Sequence, residues 1–277
     1  MATISAQSVK QLRERTGLPM MDCKKALVES AGDEEAAIDL LRKKGADAAA
    51  KKSGRETSEG RIACFIAPDG SAGVVELRCE TAPVANGDDF RQLASDLARQ
   101  VAEGGAAADA KGLLAQKFVG DPGRTLQDRL LDVQNRIREN MQIARFQKLD
   151  GPTACYEHHT GRKAAVVQLA KPTGSELPRE VGMQIVSMSP LALTVEQLDP
   201  EKVAKEREIL TEQARATGKP ENVLAKIVDG RMGKFYAETV LLEQPFVKDD
   251  DKKKVGDVLK AAGIELRGFV RWEVGEE

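Results

Sequence analysis

The chain has few aromatic residues and no excess of either charge. Aromatics make up 4% of its 277 residues, with Trp272 as the single tryptophan, and the formal net charge is -2. Sparse aromatics offer few platforms on which the bases of single-stranded nucleic acid stack. Balanced charge removes the general attraction to nucleic acid and to anionic membranes. The composition therefore argues against direct nucleic-acid binding and against membrane association.

Long apolar runs and paired cysteines are also missing. No stretch reaches the roughly 18 consecutive apolar residues that indicate a membrane span. The first ten residues lack the basic region and apolar block of a secretory signal. The four cysteines, Cys23, Cys64, Cys79 and Cys155, form no CxxC pair, which favours reduced thiols over a disulfide framework. We expect a cytoplasmic protein.

Motifs for catalysis and nucleotide binding are absent as well. Neither G-x-x-x-x-G-K-[ST] nor G-x-G-x-x-G occurs. The only histidines, His158 and His159, are adjacent, and neighbours in a strand point to opposite faces, which disfavours a shared metal site. No nucleophile, base and orienting group share a recognisable spacing. We predict no catalytic residue, metal or cofactor, and keep a thiol- or metal-dependent enzyme using Cys155 and His158 as an alternative.

Three short helices are predicted in residues 1–45. Ser5 is placed to cap the first and Gly17 to end it, Asp22 to cap the second, and Asp33 to cap the third, which Gly45 ends. The core of such a unit is small, so we expect only marginal stability for it alone. Residues 46–60 carry no large apolar side chain and are predicted to be a linker, or a short exposed helix in their Ala-rich part.

Two methionines, Met20 and Met21, fall in the predicted connection between the first two helices, flanked by Arg13 and Lys24. One methionine can fill the core of the helical unit, but burying both in so small a core is harder. Methionine is adaptable, and an exposed pair suits a partner surface. We therefore predict that this pair contacts a partner.

A strand-to-helix junction is predicted near the middle of the first half. Two apolar runs at residues 61–67 and 72–79 flank Pro-Asp-Gly-Ser, strong turn chemistry that indicates a β-hairpin. After a proline and a glycine, apolar residues recur at helical spacing and predict a helix over residues 88–103. A short loop held at both ends can present a few residues to a partner. We call residues 81–85 the presenting loop.

The remaining segments mix helices and strands. Helices are predicted over residues 109–116, 126–141, 177–188, 200–217, 220–236 and 255–262, and strands over residues 143–149, 154–158, 162–170 and 265–274. This order indicates an α+β fold with antiparallel sheets. We divide the core into an N-subdomain at 61–150 and a C-subdomain at 151–274.

A helical hairpin is predicted at about 199–238 within the C-subdomain. Gly218-Lys219-Pro220 separates its two charged helices, with Gly suited to a helix end and Pro to a helix start. Only a thin apolar seam joins them, which is typical of a protruding antiparallel coiled coil.

Residues 12–27, L-R-E-R-T-G-L-P-M-M-D-C-K-K-A-L, closely resemble the N-terminal signature of the bacterial elongation factor Ts family. The likeness continues almost end to end and in the family's domain order. Matching segments are A-I-D-L-L-R-K-K-G, E-K-V-A-K-E-R-E-I-L-T-E-Q-A, D-G-R-M-G-K-F and G-F-V-R-W-E-V-G-E.

The resemblance implies a guanine-nucleotide exchange factor for elongation factor Tu, the GTPase that delivers aminoacyl-tRNA. It implies that a small domain similar to ubiquitin-associated domains docks on the partner's G domain through Arg13, Met20, Met21 and Lys24. It also implies that His158, in a Y-x-H match, contacts the partner from the core. The expected partner is elongation factor Tu in its GDP-bound and nucleotide-free forms, and a homodimer through the core is left open.

The presenting loop departs from the family pattern. In the family it is T-D-F-V-A, whose Asp and Phe enter the G domain and dislodge Mg²⁺, whereas this chain has Thr81, Ala82, Pro83, Val84 and Ala85. Exchange can proceed through other contacts, with the proline stiffening a blunter wedge. Alternatively, the chain is a divergent homologue that binds or protects elongation factor Tu with weak exchange.

Overall fold

The structure is a computed structural model that describes residues 4–216 and 220–276, apart from the side chain of Asn222. Its α-helices are α1 (Ala6–Thr16), α2 (Met20–Glu29), α3 (Glu34–Ala50), α4 (Ala82–Ala85), α5 (Asp88–Glu103), α6 (Ala110–Leu114), α7 (Leu126–Ile137), α8 (Leu177–Met188), α9 (Pro200–Arg215), α10 (Glu221–Thr239) and α11 (Val255–Ala261). Its strands are β1 (Glu59–Ile66), β2 (Ala72–Cys79), β3 (Lys117–Phe118), β4 (Asp121–Thr125), β5 (Met141–Leu149), β6 (Thr153–Glu157), β7 (Lys163–Leu169) and β8 (Leu266–Glu273). The predicted α+β class is confirmed.

Tertiary contacts divide the chain into two units. The first comprises the residues up to Leu149, the segment His159–Lys163 and the residues from Glu273 onward. The second comprises Asp150–His158 and Ala164–Trp272. Across the described residues, no helix is both long enough and apolar enough to span a bilayer.

The first unit begins with α1, α2 and α3, which pack around their own apolar cluster. Ser5 caps α1 by accepting a hydrogen bond from the Ser8 amide at 3.0 Å, and Gly17 ends it at φ 69°, as predicted. Asp22 does not cap α2, so that prediction is wrong. The helix starts three residues earlier than predicted, at Met20 after Pro19, and Asp22 lies in its first turn, where a carboxylate suits the positive end of the helix dipole. The buried members of the cluster are Val9, Leu12, Cys23, Ala26, Leu27, Ala37 and Leu41.

Helix α3 continues through Gly45 to Ala50, so the prediction that Gly45 ends it is wrong. The Ala-rich segment that follows has high helix propensity and extends the helix into the expected linker. Gly45 serves a different purpose, because α3 packs against α7 there. A Cβ atom at Gly45 would lie 1.9 Å from the Asn135 side-chain nitrogen, so a larger residue here would require the Asn135 side chain to move.

The core of the first unit is the antiparallel sheet β1-β2-β5 covered by α5, and α7 packs on α5 and contributes to the same apolar cluster. The β1–β2 hairpin forms as predicted, and Asp69 stabilises its turn by accepting hydrogen bonds from the amide and hydroxyl of Ser71. The predicted helix at 126–141 is too long. Helix α7 ends at Ile137 because Arg138 adopts a left-handed conformation, φ 68°, and β5 then starts at Met141.

A buried carboxylate, Glu76, lies in the middle of β2. It accepts hydrogen bonds from Arg78 Nε at 2.6 Å, from Arg145 Nε at 2.7 Å and from the Gly275 amide at 3.0 Å. The charge is therefore paired twice, as a buried carboxylate requires. Glu76 also joins the C-terminal segment to the strand that leads into the presenting loop.

The second unit is built on the sheet β6-β7-β8. Helices α8 and α11 contribute to its apolar cluster, which includes Val167, Val181, Ile185 and Leu259. Helix α8 has the predicted bounds, and β8 and α11 lie within a residue of theirs. The predicted strand at 154–158 ends one residue early, which leaves His158 in the following turn.

Helices α9 and α10 of the second unit pack on each other. Their seam consists mainly of Ala214, Val228 and Met232, and Arg207 forms an ion pair with Asp229 at 3.0 Å. The predicted turn residues Gly218 and Lys219 lie outside the described residues. The coiled-coil interpretation therefore stays a prediction.

Candidate functional site

The presenting loop joins β2 to α5, as the sequence predicts, and contains one turn of helix. Thr81 is extended at φ -132° and ψ 148°, and α4 follows it with Pro83 in its first turn. Proline suits that position because the first amides of a helix have no partner within the helix. Gly87 then caps α5. The sequence indicated a loop here but not the helical turn.

Only the tip of the presenting loop is accessible. Thr81, Ala82 and Pro83 are exposed, Val84 is half-buried, and Ala85 is buried in the core cluster of the first unit. The loop therefore offers a small three-residue surface, and its far end is fixed in the core.

Glu139 fixes the near end of the loop. Its Oε2 accepts hydrogen bonds from the Glu80 and Thr81 amides, both at 3.1 Å, and its Oε1 accepts one from Thr81 Oγ1 at 2.7 Å. Hydrogen bonds to a carboxylate are stronger than those between neutral groups. Sequence reasoning missed Glu139, because 58 residues separate it from Thr81 and no local pattern connects them.

Cys79 lies beneath the loop. It is buried, and its Sγ donates a hydrogen bond to the Thr81 carbonyl at 3.3 Å. Burial raises the pKa of the Cys79 thiol to about 12, and the nearby negative charge of Glu139 adds to the increase. The thiol therefore stays neutral at physiological pH and acts as packing rather than as a nucleophile.

Met20 and Met21 lie in the first turn of α2, so the prediction that they occupy a loop is wrong. Both are exposed nevertheless, at 49% and 59%, which agrees with the expected partner surface. Lys24 follows one turn later and is exposed, as is Arg13 on α1. The buried face of α2 is filled instead by Cys23, Ala26 and Leu27.

Helix α2 and the presenting loop are connected through the end of α7. Asp22, the residue after Met21, accepts a hydrogen bond from the Arg138 guanidinium at 2.6 Å. Glu139, the residue after Arg138, accepts hydrogen bonds from the amide and the hydroxyl of Thr81. Two candidate contact surfaces of the first unit thus meet at adjacent residues.

His158 belongs to the second unit. It is half-buried in the turn after β6, and its ring lies 6.4 Å from that of Tyr156 in an edge-to-face arrangement. The guanidinium of Arg179, a residue of α8, lies 5.6 Å from the centroid of the Tyr156 ring. His159 is exposed. The geometry gives His158 an ordered aromatic neighbour.

The tip of the presenting loop and the pair Met20 and Met21 offer exposed small and apolar side chains on ordered backbone. Such surfaces suit the recognition of another protein, where a few packed anchors dominate affinity.

Comparisons with known proteins establish the family to which the chain belongs. The family model "Elongation factor TS" matches residues 80–276. The chain is 44% identical to elongation factor Ts of Methylococcus capsulatus, over 99% of this chain and 93% of that protein. It is 42% identical to that of Prosthecochloris aestuarii, over 99% and 100%, and 40% identical to that of Aquifex aeolicus, over 98% of each. The chain belongs to the elongation factor Ts family.

Proposed function

We propose that this protein is a guanine-nucleotide exchange factor that acts on elongation factor Tu during translation elongation. The observation that carries the proposal is the similarity to elongation factor Ts proteins along almost the whole chain, which covers both units of the fold. The function requires binding and no covalent chemistry, so the protein is not a catalyst of bond formation or cleavage. Its partners are the GDP-bound and nucleotide-free forms of elongation factor Tu in the cytoplasm.

Exchange follows from thermodynamic linkage. A factor that binds the nucleotide-free partner more tightly than the GDP-bound form lowers GDP affinity by the same ratio. GTPases hold the diphosphate through backbone amides and Mg²⁺, so a rigid group pressed against that region weakens nucleotide binding. We assign that task to the presenting loop, residues Thr81 to Val84. Its clamped backbone and exposed tip support this assignment.

We assign initial docking to Arg13, Met20, Met21 and Lys24, and a further contact to His158. Exposure of the two methionines beside two basic side chains supports the docking surface. The division into a helical domain at 1–45, a linker at 46–60, and subdomains at 61–150 and 151–274 belongs to the same proposal.

A GDP-release assay tests the proposal. Elongation factor Tu loaded with fluorescent GDP is mixed with excess unlabelled GDP and a substoichiometric amount of this protein. We expect each molecule of the protein to release many GDP molecules. Release limited to one GDP per molecule, or binding without acceleration, would support the alternative in which the protein only holds elongation factor Tu. The identity shared with three elongation factor Ts proteins along almost the whole chain does not favour that alternative.

A Cys155→Ala variant separates the proposal from the thiol-dependent enzyme. Exchange requires no nucleophile, so the variant should release GDP at the wild-type rate. Loss of release by a variant that remains folded would contradict the proposal.

A further inference from the structure

Hydrogen bonds run in both directions between the base of the presenting loop and the turn that joins α7 to β5. Glu139 accepts from the Glu80 and Thr81 amides, as described above, and Glu80 Oε1 accepts in return from the Asn140 amide at 2.6 Å. The buried Asn140 side chain donates to the carbonyls of Ser53 and Arg55. The loop base is therefore attached to a turn that is itself attached to the segment after α3.

The shape of this turn depends on Arg138. Its φ of 68° is unfavourable for a residue with a side chain, and such conformations persist when neighbouring contacts enforce them. Two contacts do so here, because the guanidinium donates to Asp22 and the carbonyl accepts from Lys52 Nζ at 2.9 Å. The left-handed residue ends α7 and directs the Glu139 carboxylate to the loop.

We propose that Glu139 is a positioning residue for nucleotide exchange, which holds the Thr81 backbone and hydroxyl so that Ala82 and Pro83 are presented in one fixed conformation. The inference rests on the function proposed above. Fixing the backbone of a residue costs conformational entropy. With Glu139 present, the loop is already ordered in the free protein. Without it, the partner must order the loop while GDP is being displaced.

Three variants test the role. Glu139→Ala removes all three hydrogen bonds to the loop. Glu139→Gln keeps the shape, because the amide oxygen can accept from both backbone amides while the amide nitrogen donates to the Thr81 hydroxyl. Glu103→Gln is the matched control, since it changes a glutamate that forms an ion pair with Arg99, one turn away at the end of α5.

The first measurement uses the free protein. Hydrogen exchange followed by mass spectrometry should show faster amide exchange in residues 80–85 for Glu139→Ala, at least tenfold, with unchanged exchange in α5. Glu139→Gln and Glu103→Gln should match the wild type. Unchanged protection in Glu139→Ala would overturn the proposal, whether or not the protein acts on elongation factor Tu.

The second measurement is GDP release from elongation factor Tu at varied concentrations of each variant. We expect Glu139→Ala to lower the saturating rate about tenfold, with the half-saturating concentration nearly unchanged, because the loop acts while GDP leaves rather than during docking. Glu139→Gln should restore most of the rate. Equal loss in both variants, or a change confined to the half-saturating concentration, would refute the positioning role. Failure of the wild type to release GDP would instead refute the proposed function.

Discussion

Two exposed surfaces of the first unit are built in opposite ways. The presenting loop has small side chains on backbone that is hydrogen-bonded to Glu139 and anchored in a cluster of sixteen buried residues. The methionine surface, Met20 and Met21, has long flexible side chains on a helix whose cluster has only seven. The loop can press against a partner without changing its conformation, whereas the methionine side chains can change rotamer to fit a partner. A factor that must first dock and then distort its partner needs both properties.

The reactivity of two buried cysteines can be used to compare the two surfaces. Cys23 lies under the methionine surface, and Cys79 lies under the loop. A rise in the Cys79 pKa from about 8.5 to about 12 lowers its thiolate fraction near neutral pH more than ~1000-fold. The larger core around it should also open less often. With a neutral alkylating reagent at pH 8, we expect Cys79 to react at least ~100-fold more slowly than Cys23. Mass spectrometry of the labelled peptides measures both rates, and comparable rates in the native protein would contradict the contrast.

The same thiol gives the stability a dependence on pH. Its pKa in the folded state lies above the value of about 8.5 expected in the unfolded chain. The thiol's contribution is therefore complete below about pH 8.5 and is lost as the pH rises towards about 12. Relative to Cys79→Ala, the wild type should lose up to ~1.4 kcal/mol of unfolding free energy per pH unit in that window. Urea titrations at pH 8 and pH 10 measure the free energy of unfolding of both proteins. An equal change with pH in the wild type and in Cys79→Ala would contradict the argument.

Breaking the scaffold of the loop should reduce stability strongly. In Glu76→Gln the buried carboxylate that pairs with Arg78 and Arg145 is replaced by a neutral amide, so both guanidinium groups lose their charge partner. The Arg78 and Arg145 side chains are 27% and 29% exposed, so water partly replaces the lost carboxylate, and we expect a loss of about 1–3 kcal/mol. Urea unfolding measures the loss. Glu103→Gln removes one helix-surface pair and should change stability by less than ~0.5 kcal/mol, so similar losses in the two variants would count against the argument.

Weakening the methionine surface should affect binding and leave the fold intact. Met20→Ala combined with Met21→Ala removes two exposed side chains, so thermal unfolding should be nearly unchanged. We expect affinity for elongation factor Tu to fall about tenfold, or 1.4 kcal/mol. Calorimetric titration measures this, with Ile66→Ala as a control that truncates another exposed apolar residue. Unchanged affinity in the double variant would remove the methionines from the proposed docking surface.

Local signals predicted the elements of the fold well. The Pro-Asp-Gly turn, the caps Ser5 and Asp33, and the helical spacing after Gly87 each depend on neighbouring residues, so the sequence reveals them. Long-range contacts overrode such signals elsewhere. Gly45 has the chemistry of a helix end, yet tertiary packing against Asn135 uses it inside a helix.

The candidate site was predicted to a smaller extent for the same reason. The loop and the exposed methionines follow from the chain order and from side-chain type. The roles of Glu139 and Arg138 depend on contacts with Thr81 and Asp22 that cross 58 and 116 residues of sequence. No periodicity or motif in one sequence records such contacts.

Restoring the family's loop residues tests whether side chains or backbone matter there. In Ala82→Asp combined with Pro83→Phe, the Glu139 hydrogen bonds to Glu80 and Thr81 remain available. Loss of Pro83 frees backbone φ at that residue, a change worth about 0.4–1 kcal/mol. That loss partly offsets whatever the new side chains add. We therefore expect the GDP-release rate to change by less than about threefold, which corresponds to ~0.6 kcal/mol.

Ala82→Asp alone keeps the proline and shows the effect of the carboxylate by itself. A gain of tenfold or more in the double variant would mean that an acidic and an aromatic side chain displace the nucleotide. The fixed backbone would then be only their support. That result would make the wild-type protein an impaired exchanger and would favour the homologue that holds elongation factor Tu. A rate close to the wild type in both variants would instead locate the effect of the loop in the conformation that Glu139 imposes on it.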